Sequence, residues 1–185
     1  MKRIAQLFTI ALIFVAANLS AQTYKVAAGS EIKVLGTSNI HDWVMNATQL
    51  SGDAQLVLKG TTLQDVNALN FSLAVKNLKA KENSMTGRAH KAMDADKYPN
   101  ISFKLSKADV ADQSVKANGT LTIGGTSKVV DLQGKVTANA DGSFIIKGSR
   151  KIKMSEYGIK PPSYMLGAMK VYDDLTIEYT LKLQK

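Results

Sequence analysis

The stretch LTIEYTLKL, residues 175–183, decides the fold class. Leu175, Ile177, Tyr179, Leu181 and Leu183 alternate without a break with Thr176, Glu178, Thr180 and Lys182. Successive side chains of an extended chain point to opposite faces, so this is a strand with one apolar and one wetted face. A helix would scatter the same apolar residues around its circumference.

Working outward, the same period recurs. Leu69, Phe71, Leu73 and Val75 alternate with Ala74 and polar neighbours, and Ile101, Phe103 and Leu105 with Ser102 and Lys104. Further strands are expected over 31–37, 40–50, 54–59, 114–123, 128–138 and 143–154, with turns at Ser51-Gly52-Asp53, Gly124-Gly125-Thr126 and Asn139-Ala140-Asp141-Gly142. Pro99, Pro161 and Pro162 fall outside these strand interiors, as a ladder of N–H donors requires. Only Lys79–Lys97 breaks the pattern. It is rich in alanine, methionine and charge, and it predicts a short helical excursion capped by Asn83 or Ser84 and weakened by Gly87. Strands with one apolar face must bury it, in two packed sheets or in a closed barrel. The expected fold is therefore all-β and antiparallel, in one domain.

The N-terminus reads differently. Lys2 and Arg3 precede the apolar run Ile4–Ala17, and Leu19-Ser20-Ala21 offers a small residue for cleavage. The run is short against the roughly 20 residues that span a bilayer. Residues 1–21 are thus expected to be a signal peptide and 22–185 the mature domain, in the periplasm or secreted. Loss of Lys2 and Arg3 lowers the formal charge from +9 to +7.

Composition narrows the chemistry. The 185 residues contain no cysteine, which removes disulfide scaffolds, thiolate metal sites and cysteine nucleophiles. His41 and His90 are far apart and form no metal-ligand spacing, so neither a metal nor a catalytic residue is expected. His41-Asp42 is the best candidate for a hydrolase, but in a strand the two side chains diverge. His90 is expected in solvent, and Asp173-Asp174 reads as a turn. The densest basic run is Arg150-Lys151-Ile152-Lys153. The remaining lysines are dispersed, and aromatics make up only 6% of the chain, which argues against a nucleic-acid partner. Dispersed positive charge suits peripheral contact with an anionic membrane surface instead. The scarcity of aromatics, and a C-terminus without one, also argue against an outer-membrane barrel with its aromatic girdles.

Three stretches carry a resemblance. AMDADKYPNISF (92–103), NGTLTIGGTSKVVDL (118–132) and the pair Ser155-Glu156-Tyr157-Gly158-Ile159 with Val171-Tyr172-Asp173-Asp174-Leu175-Thr176-Ile177 recur in this order in a known family. The chain resembles the YceI-like family of exported, lipocalin-like polyisoprenoid-binding proteins. It departs from that pattern at Met154, where many members have arginine, and across Gly36–Trp43. The resemblance implies an extended eight-stranded antiparallel barrel whose apolar tunnel holds a long isoprenoid lipid, of polyprenyl or isoprenoid-quinone type, without enzymatic activity or any cofactor beyond that lipid.

The inward rows supply candidate walls, because a hydrocarbon ligand needs apolar surface and no reactive group. These are Leu69, Phe71, Leu73, Ile101, Phe103, Leu105, Leu121, Ile123, Ile177 and Tyr179. Trp43, Tyr157, Tyr164, Met165 and Leu166 lie near turns or the Pro161-Pro162 loop and are the candidate mouth. The competing expectation is an adhesion or interaction β-sandwich in which the same rows form a filled core.

Overall fold

Alternation becomes a closed sheet. The computed structural model describes residues 20–185, so the leader reading of 1–19 lies outside the described residues. Twelve strands and one α-helix follow in the order β1 (Ser20–Val26), β2 (Glu31–Ser38), β3 (Asp42–Ala47), β4 (Ser51–Lys59), β5 (Thr62–Ala74), β6 (Lys79–Ala80), α1 (Asn83–Ala92), β7 (Asn100–Ala111), β8 (Ser114–Ile123), β9 (Thr126–Ala138), β10 (Phe144–Lys153), β11 (Ser163–Tyr164) and β12 (Met169–Gln184). Their antiparallel order β1-β4-β5-β7-β8-β9-β10-β12 closes where β12 returns to β1 through Lys25↔Gln184 and Val26↔Leu183. This is the expected eight-membered barrel: the ring of strands closes, although β9 and β10 pair only over their lower ends.

Three staves are segmented. β12 pairs with β1 near its C-terminus but with β2 over Leu175–Thr180, so β1 and β2 form one stave interrupted at residues 27–30. β3 and β4 likewise form one stave, as do β5 and β6. The barrel thus has a lower end, at the turns around Gly60, Asp112 and Asp141. Its upper end carries the β2–β3 turn, α1, Gly124-Gly125 and residues 154–168.

The lower end is closed. Tyr24, Leu56, Phe144 and Leu183 are buried there, with the Tyr24 and Phe144 rings edge-on at 5.6 Å between centroids. Edge-to-face aromatic pairs favour this spacing. The upper end is looser. β5 and β7 part company above Ala74↔Asn100, the chain turns through residues 75–77 into β6, and α1 lies over the opening. No residue of α1 is buried, and its N-cap, Glu82, makes no side-chain capping bond. Asn83 and Ser84 lie inside the helix rather than capping it. The start is tied down instead by Thr86, whose hydroxyl oxygen accepts from the Ala80 N–H at 2.9 Å.

Other local expectations are corrected. Ser51-Gly52-Asp53 is strand, because its backbone pairs with Asn70–Ser72 and, at Asp53, with Lys25 as well. Pairing on a neighbouring strand overrides the turn propensity. Asp173 and Asp174 also lie within a strand, beside a register shift between Val171 and Leu175. Asp173 accepts from the Ser155 N–H at 2.8 Å and from its hydroxyl at 2.5 Å, and Asp174 pairs with Lys153. These bonds hold the Asp173 carboxyl below the usual carboxylate range. His90 is half-buried, with Nε2 2.8 Å from the Leu78 carbonyl oxygen, so it ties α1 to the barrel.

Candidate functional site

Above the aromatic plug the inward rows do not meet, and a cavity of about 440 Å³ remains. Its floor includes Val66, Val115, Ile146 and Leu181, and its roof is the face of α1 that carries Met85, Ala89 and Ala92. Those three positions recur at i, i+4 and i+7, which places them on one side of the helix. The volume falls within the roughly 300–1,000 Å³ of small-molecule sites.

All ten wall residues read from the sequence line this cavity: Leu69, Phe71 and Leu73 on β5, Ile101, Phe103 and Leu105 on β7, Leu121 and Ile123 on β8, and Ile177 and Tyr179 on β12. Trp43, Tyr157 and Tyr164 join them at the upper rim. Met165 and Leu166 do not. Both hold φ of 53°, which turns their side chains outward, and they are 76% and 111% exposed. A non-glycine residue in this left-handed region costs roughly 1–2 kcal/mol.

Two close approaches shape the wall. A Cβ at Gly36 would lie 2.1 Å from Trp43 Cζ2, so the missing side chain seats the indole directly on the paired strand. The indole N–H is buried and has no partner. Gly148 does the same for Tyr179, which crosses it and donates from its hydroxyl to the Gln133 carbonyl at 2.9 Å. Burial pushes the Tyr179 and Tyr157 hydroxyls above the ordinary tyrosine value, opposed in both by the Arg150 charge.

The rim is held by polar contacts. Arg88 of α1 stacks on Tyr164 with the guanidinium 4.2 Å from the ring centroid. Asn39 donates from Nδ2 to the Ala168 carbonyl at 2.8 Å and accepts from the Lys170 N–H at 2.8 Å. His41 does not meet the Asp42 carboxylate; its Nδ1 lies 2.7 Å from the Asp42 backbone oxygen. Among the described residues no group of three or more histidine, aspartate or glutamate residues is arranged to hold a metal.

Comparison with known proteins comes to the same place. A profile of the YceI-like domain matches residues 21–183. The chain belongs to the YceI-like family. No curated protein matches it. Several solved structures share the fold. BcnA of Burkholderia cenocepacia superposes with a TM-score of 0.71 at 18% identity, over 85% of this chain and 98% of that one. A polyisoprenoid-binding domain from Saccharophagus degradans, implicated in plant cell wall breakdown, gives 0.68 at 13% identity over 89% and 99%. The YceI protein of Campylobacter jejuni gives 0.63 at 16% over 100% and 99%. The YceI-like fold is a binding-protein architecture, and in this YceI-like barrel the cavity is where a ligand has room.

Arg150 is one of several lining residues absent from the candidate walls and mouth, and the one with a charged group beside Tyr179 and Tyr157. Its signal was present, since it shares the parity of the inward-facing Phe144, Ile146 and Ile152.

Proposed function

We propose that this protein is a non-enzymatic periplasmic carrier that holds a long isoprenoid lipid, polyprenyl or isoprenoid-quinone in type, in the barrel cavity. The carrying observation is the apolar cavity itself, plugged below and roofed by a helix with no buried residue. The filled core of a β-sandwich would leave no such space.

The energetics favour long chains. Burying a five-carbon unit gains about 4 kcal/mol, at ~0.8 kcal/mol per CH₂. Association itself costs about 4–15 kcal/mol. One unit is therefore insufficient, and several are needed for stable retention. The weakly anchored helix suits a roof that must open, because segments with few buried contacts open at low free-energy cost.

We further propose that the upper rim meets an anionic membrane surface. Met165, Leu166 and the 58% exposed Ile40 stand out beside the mouth, on loops joined through Asn39, with Lys160 and Lys170 exposed around them. Apolar residues ringed by cations match the interface of an acidic bilayer. Native mass spectrometry of gently purified protein tests the carrier reading. A prenyl-lipid adduct, released by organic solvent, is the expected result. A protein that carries none, and whose Trp43 emission ignores added prenyl lipid, refutes it.

A further inference from the structure

The wall of the barrel is incomplete on one side. β9 and β10 pair only at their lower ends, from Gly134↔Gly148 to Ala138↔Phe144. Above that, β9 continues against β8 and β10 continues against β12, so a slit separates them. Separation leaves β9 carbonyls at the slit without partners on β10. Two of them are answered by side chains. The Tyr179 hydroxyl donates to Gln133 O at 2.9 Å, and Arg150 Nη1 donates to Asp131 O at 3.1 Å.

Arg150 is an unusual wall residue. It stands on the inward row of β10, between Gly148 and Ile152, in a cavity otherwise lined mainly by apolar groups. Among the described residues no carboxylate lies within ion-pair distance of it; the Asp131 carboxylate at the slit accepts from Asn118 instead. A guanidinium carries five N–H donors in a planar fork, and a single bond to a carbonyl leaves most of them unspent. Tyr157 borders the same part of the cavity. The slit keeps the guanidinium accessible to water, so an anionic group can reach it without losing all its hydration, while the barrel beside it accepts hydrocarbon.

We infer that the slit between β9 and β10 is a head-group site, where Arg150 receives an oxyanion, carboxylate or phosphate, at the end of the chain that fills the cavity. The inference rests on the carrier reading and deepens it. Planar, bidentate recognition of an oxyanion is what the guanidinium fork does best. An amphiphile held this way would have one end fixed at the slit and its chain among Ile146, Leu181 and Val115.

The test compares three ligands of one prenyl chain length, ending in alcohol, carboxylate or monophosphate, by titration of Trp43 emission. In the wild type at least one acid should bind tenfold or more tighter than the alcohol. Arg150→Gln should abolish that preference while leaving alcohol affinity within about twofold, and Arg150→Lys, which keeps the charge without the fork, should restore part of it. Arg88→Gln, which removes the other arginine lining the cavity, should leave the preference intact. The acid that suffers more from Arg150→Gln identifies which oxyanion the site suits. Circular dichroism melts show whether the Arg150→Gln barrel is folded. If it is not, the comparison of acid with alcohol in the wild type and in Arg150→Lys decides. Equal affinity for alcohol and both acids in the wild type overturns the head-group site and leaves the carrier intact. An equal loss of all three in Arg150→Gln also overturns it, since Arg150 then only braces β9. Failure of all three ligands to bind the wild type overturns the carrier and the head-group site together.

Discussion

A single methyl group at Gly36 should test how the cavity wall is built. The added Cβ would lie 2.1, 2.6 and 2.6 Å from three carbons of the Trp43 ring, against the ~3.5–4.0 Å at which carbon atoms rest. The indole must therefore move by about 1.5 Å, out of the seat it shares with the cavity rim. Overpacking of this kind costs about 1–3 kcal/mol. The backbone effect has the opposite sign, because replacing glycine in a strand by alanine gains roughly 0.5–1 kcal/mol. Gly36→Ala should consequently destabilise the native barrel. In a Trp43→Ala background the three clashing atoms are gone, so the same methyl should stabilise it. The measurement is a double-mutant cycle from urea melts, followed by far-ultraviolet circular dichroism because Trp43 is the only tryptophan. Each kcal/mol corresponds to a Tm shift of roughly 2–4 °C for a chain of this size. A Gly36→Ala effect of the same sign and size in both backgrounds would refute the claim that Gly36 exists to seat the indole.

Other perturbations give different signatures. Arg88→Ala removes the contact between α1 and Tyr164, worth about 0.5–1 kcal/mol at an exposed site, and should speed ligand release about two- to fivefold in stopped-flow exchange. Leu166→Gly relieves the left-handed backbone and should raise stability by about 1 kcal/mol, while vesicle flotation shows weaker association with acidic bilayers. Tyr179→Phe loses the bond to Gln133 O and should cost about 1 kcal/mol near neutral pH in denaturant melts. Because burial holds the Tyr179 proton on in the folded state, the contribution of Tyr179 to wild-type stability should be level below pH 10 and decline above it, where the unfolded phenol ionises first. The Phe variant should show a shallower decline. Asp173→Asn should detach residues 154–159 and remove a contribution to stability that the wild type loses only as pH falls below the ordinary aspartate range, measurable by melts at pH 3 and pH 6.

Much of this architecture was legible in alternation. β8 lies at residues 114–123 as read, and the inward rows of β5, β7, β8 and β12 all face the cavity. Where the reading fell short, the cause is local. The first half of β5 was hidden because its pairing with β4 shifts register twice, between Gln55 and Leu56 and between Val57 and Leu58. The bulges space the buried Leu63, Val66 and Leu69 by three rather than two, so no period-two signal survives. β1 was missed because it overlaps the stretch read as leader: Ser20 and Ala21 already pair with Leu58 and Val57. The outward turn of Met165 and Leu166 had no signal, since neither residue favours positive φ. Arg150 belongs to the densest basic run, which gives no hint of a cavity role, although its parity with Ile146 and Ile152 turns it toward the cavity.

The plug of Tyr24, Leu56, Phe144 and Leu183 has a consequence for traffic. A tube open at both ends could thread a lipid from one membrane to another without reversing it. This vessel is blind at its base, so whatever goes in last comes out first. The leading tip of a chain that enters from the top stays deepest, and the trailing part must emerge ahead of it. A chain carried as proposed would be handed over in the reverse of the order in which it was taken up, and an acceptor would meet the same part of the molecule that the donor released last.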